Sequence, residues 1–467
     1  MNRPFILKVL GIFILTMLMS WAVSYVNSLV LERQSRQQAV KDDIARSSAG
    51  EQTILGPVLT VPYIEEYVEY EEYTSGVKKL QKPVVRRDAS FAYFLPENLE
   101  LTGGFSNEYK KLGIYKALMY QLGGTVKGNF SLPASFNILP LHKDGKIIFQ
   151  AAFVGLGISD TRGISGKPEF SWNKQAFKFE QGSGIAPLGN GIHATVGIIA
   201  AENAQNIPFE FNLNLHGMEN FNFLPIAENN KIALQSSWQH PHFYGSFLPD
   251  AATQKITPAG FEAQWAISSL SSSNQTTLKS NLAQGASRWN EKSAAPAAAP
   301  SNSNHALEAI SVSFVEPINV YSQSDRATKY GLLFIGLSFA GFFIFEILKR
   351  LRIHPAQYAL VGLGMALFYL LLISLSEHIG FAWSYLAASA ACVSLLGYYL
   401  SYVLNSKAHG LTFAVMLAAL YGALYGILAS EDNALLMGSL LVFGLLALTM
   451  IVTRKVDWYQ IGGVPNN

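Results

Sequence analysis

Two blocks of long apolar runs bracket a middle stretch, about Glu32 to Lys329, in which apolar and polar positions alternate. Five runs crowd the C-terminal part: Tyr330–Ile347, Ala356–Leu375, Phe381–Leu404, Leu411–Leu428 and Ala434–Val452. Each has about 18 residues or more, enough for a helix rising 1.5 Å per residue to cross roughly 30 Å of hydrocarbon. One more run, Phe5–Leu31, is the first of the six in chain order and carries Arg3 and Lys8 at its start. It is longer than the apolar core of a secretory signal and no small-x-small cleavage pattern follows it, so it reads as an uncleaved anchor. The pattern predicts a membrane protein of mixed class with six transmembrane α-helices, one N-terminal and five in a C-terminal bundle. It divides the chain into residues 1–31, 32–329 and 330–467.

Charges beside the short loops give an orientation. Lys349, Arg350 and Arg352 follow the second run, Lys407 the fourth, and Arg454 and Lys455 the sixth, whereas Ser376-Glu377-His378 and Ser430-Glu431-Asp432 hold no Lys or Arg. Positive residues mark the cytoplasmic side. Both termini are therefore expected inside and residues 32–329 outside. Arg33 and Arg36 leave the first run ambiguous on its own, and the five later runs decide.

The outer stretch opens with a helical pattern over Glu32–Ala49, in which Val40 and Ile44 form the apolar stripe and Gly50 the stop. Strand patterns follow at Thr53–Tyr63, Phe91–Leu95, Thr125–Leu132, Ile147–Leu156, Ala194–Ile199, Phe209–Leu215, Lys231–Trp238 and Phe261–Ser268, rich in β-branched and aromatic residues and bounded by Gly, Pro and Asn. A large, β-rich, mainly antiparallel domain is expected. Glu65, Glu66, Glu69, Glu71 and Glu72 alternate with tyrosines ahead of Ser75-Gly76 and then Lys78, Lys79 and Lys82. A hairpin closing there sets acids against bases, which serves either a solvated ribbon protected from edge pairing or a surface for a basic partner. Residues 271–304, with Ser271-Ser272-Ser273-Asn274 and an Ala/Pro run, have little to bury and are expected to be a flexible excursion, and Ala309–Tyr321 a last strand.

Composition narrows the classes. The 467 residues are 50% hydrophobic and 14% charged, with a net charge of +2, which gives no basic excess for nucleic acid. Mean hydropathy is +0.21, as suits a membrane protein with a sizeable polar insert. The only cysteine, Cys392, lies in the fourth run, so the outer domain must be held by its own core rather than by disulfides.

Several segments, in order along nearly the whole chain, resemble the CreD family of bacterial inner-membrane proteins. They include Glu32-Arg33-Gln34, Gly56-Pro57-Val58-Leu59-Thr60-Val61-Pro62-Tyr63, Ser159-Asp160-Thr161-Arg162-Gly163-Ile164, Ser237-Trp238-Gln239-His240-Pro241-His242-Phe243 and Gly260-Phe261-Glu262-Ala263-Gln264-Trp265. Others are Pro317-Ile318-Asn319-Val320-Tyr321, His354-Pro355-Ala356-Gln357-Tyr358 and Ser374-Leu375-Ser376-Glu377-His378. Two places depart from the family pattern: a basic Arg-Arg-Gly-like segment appears as Lys110-Lys111-Leu112-Gly113-Ile114-Tyr115, and Ser271 stands where an Arg follows Ser269-Leu270. The resemblance implies an inner-membrane location, the architecture above and a role in cell-envelope integrity, with expression under a two-component stress system.

Candidate chemistry is sparse. His240 and His242 share a face if the segment is extended and could offer two imidazoles to a metal, with His193 and His216 elsewhere in the domain. Pro241 and the surrounding Trp238, Phe243 and Tyr244 equally suit a structural corner. No Gly-x-Ser-x-Gly, His-Glu-x-x-His or Walker A pattern occurs. Glycines at 182, 184, 189 and 191 suit turns. Glu346 stands one turn before Lys349 and Arg350 and is expected to pair within its helix. Glu377 and His378, at the outer end of the third run, are a candidate functional interface, either a proton relay or a contact to another element. Ala418, Gly422 and Gly426 form a small-residue line that suits helix packing, inside the bundle or between copies. Trp383, Tyr385, Trp458 and Tyr459 suit an interfacial belt.

Three classes compete. The leading one is a non-enzymatic envelope scaffold or sensor anchored by the bundle, with no cofactor, with the lipid bilayer and an unidentified envelope protein as partners, and with the oligomeric state open. The second is a carrier or enzyme acting on lipid or cell-wall intermediates, which calls for a polar cavity in the bundle. The third, a ligand-binding sensor, calls for an aromatic-lined pocket in the outer domain.

Overall fold

The computed structural model describes residues 3–75, 78–290, 307–314, 319–349, 353–404, 406–430 and 434–454. The chain forms two compact units: a helical one from residues 1–39 and 318–467, and a β-rich one from residues 40–317. These boundaries differ from those expected at 31/32 and 329/330, because helices flanking the apolar runs continue them.

The helices are α1 (Arg3–Ser47), α2 (Asn274–Asn290), α3 (Val320–Lys329), α4 (Gly331–Lys349), α5 (Pro355–Ile379), α6 (Phe381–Val403), α7 (Lys407–Ala429) and α8 (Ala434–Thr453). α1 is one continuous helix of 45 residues, so the helix expected over Glu32–Ala49 is the extension of the first apolar run. Its middle is no detached tether: Met19, Val23 and Val26 share a buried core with Phe339, Met365 and Tyr369. Gly362 of α5 makes room for it, since a Cβ there would lie 2.7 Å from the Phe339 ring and 2.8 Å from Met19. Rings fill the rest: Tyr421 of α7 sits 4.5 Å, centre to centre, from both Phe334 of α4 and Phe368 of α5. α3 is amphipathic, burying Tyr321, Ser324, Ala327 and Thr328. Four helices are long and apolar enough to cross a membrane, and a fifth span results if α3 and α4, bent by 44°, count as one. α8 adds a shorter apolar stretch, Leu436–Ile451.

In the β-rich unit the strands are β1 (Gln52–Ser75), β2 (Lys78–Phe94), β3 (Asn98–Leu112), β4 (Tyr115–Leu132), β5 (Lys146–Phe149), β6 (Ala152–Ile158), β7 (Glu169–Trp172), β8 (Gln175–Lys178) and β9 (Glu180–Gln181). They continue as β10 (Gly191–Gly197), β11 (Gln205–Met218), β12 (Asn220–Leu224), β13 (Asn229–Ser236), β14 (Pro241–Gly245), β15 (Lys255–Thr257), β16 (Gly260–Ser268) and β17 (Ile310–Phe314). One sheet runs β14-β17-β12-β1-β6-β10-β9, with β2 and β5 also on β1, and the other runs β15-β16-β13-β3-β4-β11-β7-β8. Pairing is antiparallel except for β1 with β12 and β3 with β13. β11 shows why the sheets stack: Ile207, Phe209, Phe211, Leu213 and Leu215 are buried while Pro208, Glu210, Asn212 and Asn214 are exposed, the period of two that covers one face. A single core joins that face to Val154, Leu156, Phe221 and Val312 of the opposite sheet.

Two expectations need revision here. The excursion over residues 271–304 begins as α2, because Leu278 and Leu282, one turn apart, bury against Ile185, Leu224 and Ile226, and the buried Asn274 amide donates to the Pro225 and Glu308 carbonyls at 3.0 and 2.7 Å. Its Ala/Pro part falls in residues 291–306, outside those described. In the β1–β2 ribbon the acids meet arginines as well as lysines: Arg86 Nε lies 3.0 Å from Glu69 and bonds Glu71 through its other nitrogen, and Arg87 Nε lies 2.8 Å from Glu66, while Glu71 is opposite Lys82 in register. The turn at Gly76, and the residues Arg350, Arg352, Glu431, Asp432, Lys455, Trp458 and Tyr459, lie outside the described residues.

Candidate functional site

α5 carries a polar cluster at each end of the helical unit. At its start, His354-Pro355-Ala356-Gln357-Tyr358 is a helix-initiation sequence. His354 Nδ1 accepts from the Ala356 N–H at 3.2 Å, the Gln357 side chain accepts from the His354 N–H at 3.0 Å, and Pro355 occupies the first turn, where no donor is needed. Tyr358, thus placed, donates its hydroxyl to Glu346 at 2.8 Å. Glu346 is 5% exposed and takes two further donors, the Ile353 N–H at 3.0 Å and the ammonium of Lys8 from α1. Among the described residues the partners of Glu346 are thus on other elements; the side chains of Lys349 and Arg350, expected to pair with it inside its own helix, lie outside those described. A carboxylate withdrawn from water is tolerable only when its lone pairs are filled and its charge balanced, and these three donors do both.

At the other end, Glu377 accepts from the Tyr321 hydroxyl of α3 at 3.2 Å and lies 3.7 Å from Arg33 Nε of α1. Asn319 caps α3 by accepting from the Tyr321 N–H at 3.0 Å and donates to the Gln37 side chain of α1 at 3.2 Å. Farther along, Thr328 donates to Asn27 of α1 at 2.6 Å. Glu377 and His378 are separated by this geometry: the carboxylate joins the helices, while the imidazole is exposed. Nineteen residues separate Tyr358 from Glu377, about 28 Å of helix, close to the thickness of a hydrocarbon layer. The ionic groups thus stand at the ends of an aromatic and aliphatic interior.

The remaining sequence candidates do not converge. His240 is exposed ahead of β14, and the exposed His242 stacks on Tyr244, with 5.7 Å between centres. His193 Nδ1 is 2.7 Å from the Gly182 carbonyl, and His216 lies on β11. Among the described residues no group of three or more His, Cys, Asp or Glu side chains is arranged to hold a metal ion. Ala418 and Gly422 are exposed, and a Cβ at Gly422 or Gly426 would meet nothing within 4 Å, so this line does not serve packing inside the described bundle. Ala418 and Gly422 instead edge an apolar groove of about 540 Å³ with Trp383, Tyr385 and Tyr425. Trp383 is exposed, but Tyr385 is buried and donates to the Tyr421 carbonyl at 2.7 Å, so it is a core residue rather than part of a belt.

In the β-rich unit, Ser159-Asp160-Thr161-Arg162-Gly163 anchors the end of α1. Arg162 donates to the Arg46 carbonyl and, at 3.3 Å, to that of Ala45, which satisfies orphan acceptors of the last turn. Asp160 orients it through contacts of 2.9 and 2.6 Å and also accepts from the Gly50 N–H at 3.1 Å. The guanidinium of Arg162 holds the Asp160 carboxyl below its usual range, against the opposing effect of burial. Lys8, Arg33, Tyr321, Tyr358 and Arg162 were missed as partners by sequence reasoning. A lysine in an apolar run is the one signal that asks for a counter-charge; the others lie in segments that carried the family resemblance, whose meeting no spacing reveals.

Residues 4–459 match a family model described as inner membrane protein CreD. The inner membrane protein CreD of Escherichia coli (strain K12) is 32% identical over 459 residues, covering 98% of this chain and 95% of that one. Among solved structures, an M1 zinc metallopeptidase variant from Deinococcus radiodurans, bound to a Tyr-Ser-Ala substrate, aligns at 10% identity with a TM-score of 0.19, over 36% of this chain and 37% of that one. A second structure of an M1 zinc metallopeptidase from that organism gives a TM-score of 0.15.

Proposed function

The chain belongs to the CreD family of inner-membrane proteins, and on that premise we propose that it serves cell-envelope integrity as a non-enzymatic scaffold and sensor, made under envelope stress. In this reading six spans cross the membrane: α1, the bent pair α3–α4, α5, α6, α7 and α8. Both termini are cytoplasmic and the β-rich unit is periplasmic. The asymmetric Lys and Arg of the short loops support that orientation. The observation that carries the anchoring role is the pairing of the buried Glu346 and the half-buried Glu377 with groups of neighbouring helices, Glu346 with Lys8 and Glu377 with Arg33 and Tyr321. Charges neutralised in this way brace a bundle, whereas a carrier needs them turned toward a pathway.

The sensor part of the reading rests on a cavity of about 840 Å³ where β8 and β9 pass from one sheet to the other, lined by Phe177, Phe179 and Ile192 with Lys167 and Lys178. A pocket of that size and mixed lining suits a small ligand.

The test has two arms. With Ser171→Cys in the full-length chain, a membrane-impermeant maleimide should label spheroplasts before lysis, and a reporter at the C-terminus should be active only inside. Crosslinking and co-purification from native membranes under envelope stress should recover a stoichiometric protein partner. Labelling only after lysis removes the proposed orientation. A bound lipid or cell-wall intermediate without a protein partner moves the assignment to a carrier or enzyme.

A further inference from the structure

β8 is the last strand of the eight-stranded sheet and β9 the last of the nine-stranded one, and Phe179 alone separates them, so residues 175–181 form one segment along both edges. How its backbone is used follows from the turn before it. Asn173 and Lys174 both have positive φ, 49° and 66°, as in a tight two-residue hairpin turn, which makes Trp172 and Gln175 a hydrogen-bonded pair. Bonded and non-bonded pairs alternate along an antiparallel ladder. Gln175 and Phe177 therefore bond to β7, while the N–H and C=O of Ala176 and Lys178 point away from it, to the side where β8 has no neighbouring strand. The backbone of Phe179 also bonds to no other backbone group among the described residues.

All three residues line the cavity of about 840 Å³. Unbonded strand groups at a sheet edge are a template for another strand, and here they stand in a recess with room for one. Successive side chains of an added strand alternate between faces. Every second one would meet the Phe177, Phe179 and Ile192 part of the lining, and the others the Lys178 part. Charge sets the second requirement. Lys167 and Lys178 have no ion-pair partner among the described residues, although Glu169 is opposite Lys178 in register, and Glu180, the other acid in the lining, lies 3.8 Å from His193. Resting on the reading of this cavity as the sensor site, we propose that its ligand is an extended peptide, apolar at alternate positions and acidic between them. It pairs with Ala176 and Lys178 as a further strand of the eight-stranded sheet, so that main-chain bonds give affinity and the alternating pockets give selectivity.

The experiment selects displayed random nonapeptides on the full-length chain in nanodiscs, with the Ala176→Pro chain as the counter-target. Proline at 176 removes a free N–H and none of the bonds to β7, and an unshifted thermal transition of the β-rich unit checks that the fold is kept. Enriched sequences should alternate apolar and acidic residues and slow amide exchange over residues 175–181. They should bind Ala176→Pro roughly tenfold more weakly, the effect of one backbone group left unfilled. A second measurement needs no variant of the protein. Of two copies of an enriched peptide, N-methylated on alternate sets of amides, one should lose binding by roughly tenfold or more and the other keep it, because only one set faces β8. No enrichment on the parent chain, or equal binding by the two methylated copies, overturns the inference. A peptide-free, low-molecular-mass envelope extract that slows the same exchange in the parent and in Ala176→Pro alike leaves the sensor reading standing with a small molecule as ligand and overturns the peptide. Slowing by neither peptides nor extract overturns both.

Discussion

At Asp160 a single carboxylate holds a guanidinium, the Gly50 N–H and the start of a turn through the Arg162 N–H. Its folded pKa is depressed, chiefly by Arg162, so the stability it contributes is present above the unfolded carboxyl range and is lost as pH falls through the lower folded value. Asp160→Asn should lower the midpoint of the β-rich unit's thermal transition by several degrees at neutral pH. The gap to the parent should begin to narrow as pH falls through the ordinary carboxyl range, about pH 4, and close only below the depressed folded value; a gap constant from pH 7 down to acid unfolding argues against the assignment. Gly260 is a steric case. With φ at 131°, a Cβ there would run into the Ser236 carbonyl oxygen of the neighbouring strand. Gly260→Ala should cost about 1–3 kcal/mol in backbone strain, read as a lower midpoint of thermal unfolding. An unchanged midpoint shows that the strand shifts freely.

Among elements, α1 and α2 differ most from what their residues announce. The apolar run Phe5–Leu31 is legible as a span, but its incorporation into the helical core depends on small side chains elsewhere, such as Gly331 against Val23 and Gly362 against Met19, which hydropathy does not record. Strands with strict alternation, such as β11, β13 and β16, are legible within a few residues of their ends. β3 is not, because Gly103-Gly104 and the charged Glu108-Tyr109-Lys110-Lys111 dilute the pattern, and it is held by β4 and β13 on both sides. Nor is α2, a polar helix whose apolar side chains buried among the described residues are Leu278 and Leu282. Those two leucines carry the element, so Leu282→Ala should destabilise by about 2–5 kcal/mol and expose α2 to limited proteolysis. At the site, Glu377 was visible as an ionisable group at a span end, but Arg33 and Tyr321 lie far away in sequence. The Lys8–Glu346 tie gives a further test. Removing one partner of a buried pair costs about 3–5 kcal/mol, whereas replacing both by apolar groups of similar size recovers much of it. Lys8→Met and Glu346→Met should each weaken retention of α1 by the bundle, measured by thiol crosslinking of cysteines placed at Asn27 and Thr328, whose side chains meet at 2.6 Å, and the double variant should crosslink better than either. Additive losses mean that the pair is not coupled.

For the whole molecule, the division of core residues predicts how the chain unfolds. The two main hydrophobic clusters draw on separate sets of residues, one on both sheets and one on the helices. Cooperative unfolding follows a shared core, so two such cores give two transitions, and a single two-state Tm does not describe the protein. Among the described helices α1 is the one whose residues belong to both units, with Met19, Val23 and Val26 in one core and Ile44 in a small cluster of the other. Glu346→Met should therefore move only the transition of the helical unit, and Leu282→Ala only that of the β-rich unit. Combining them should be additive within about 0.5 kcal/mol, because the sites share no partner. Scanning calorimetry of the detergent-solubilised chain, with hydrogen exchange to assign each transition, reads this directly. One transition that both variants displace equally would mean that α1 fuses the cores into a single cooperative body, and a sensor built on it would pass strain from pocket to bundle without loss.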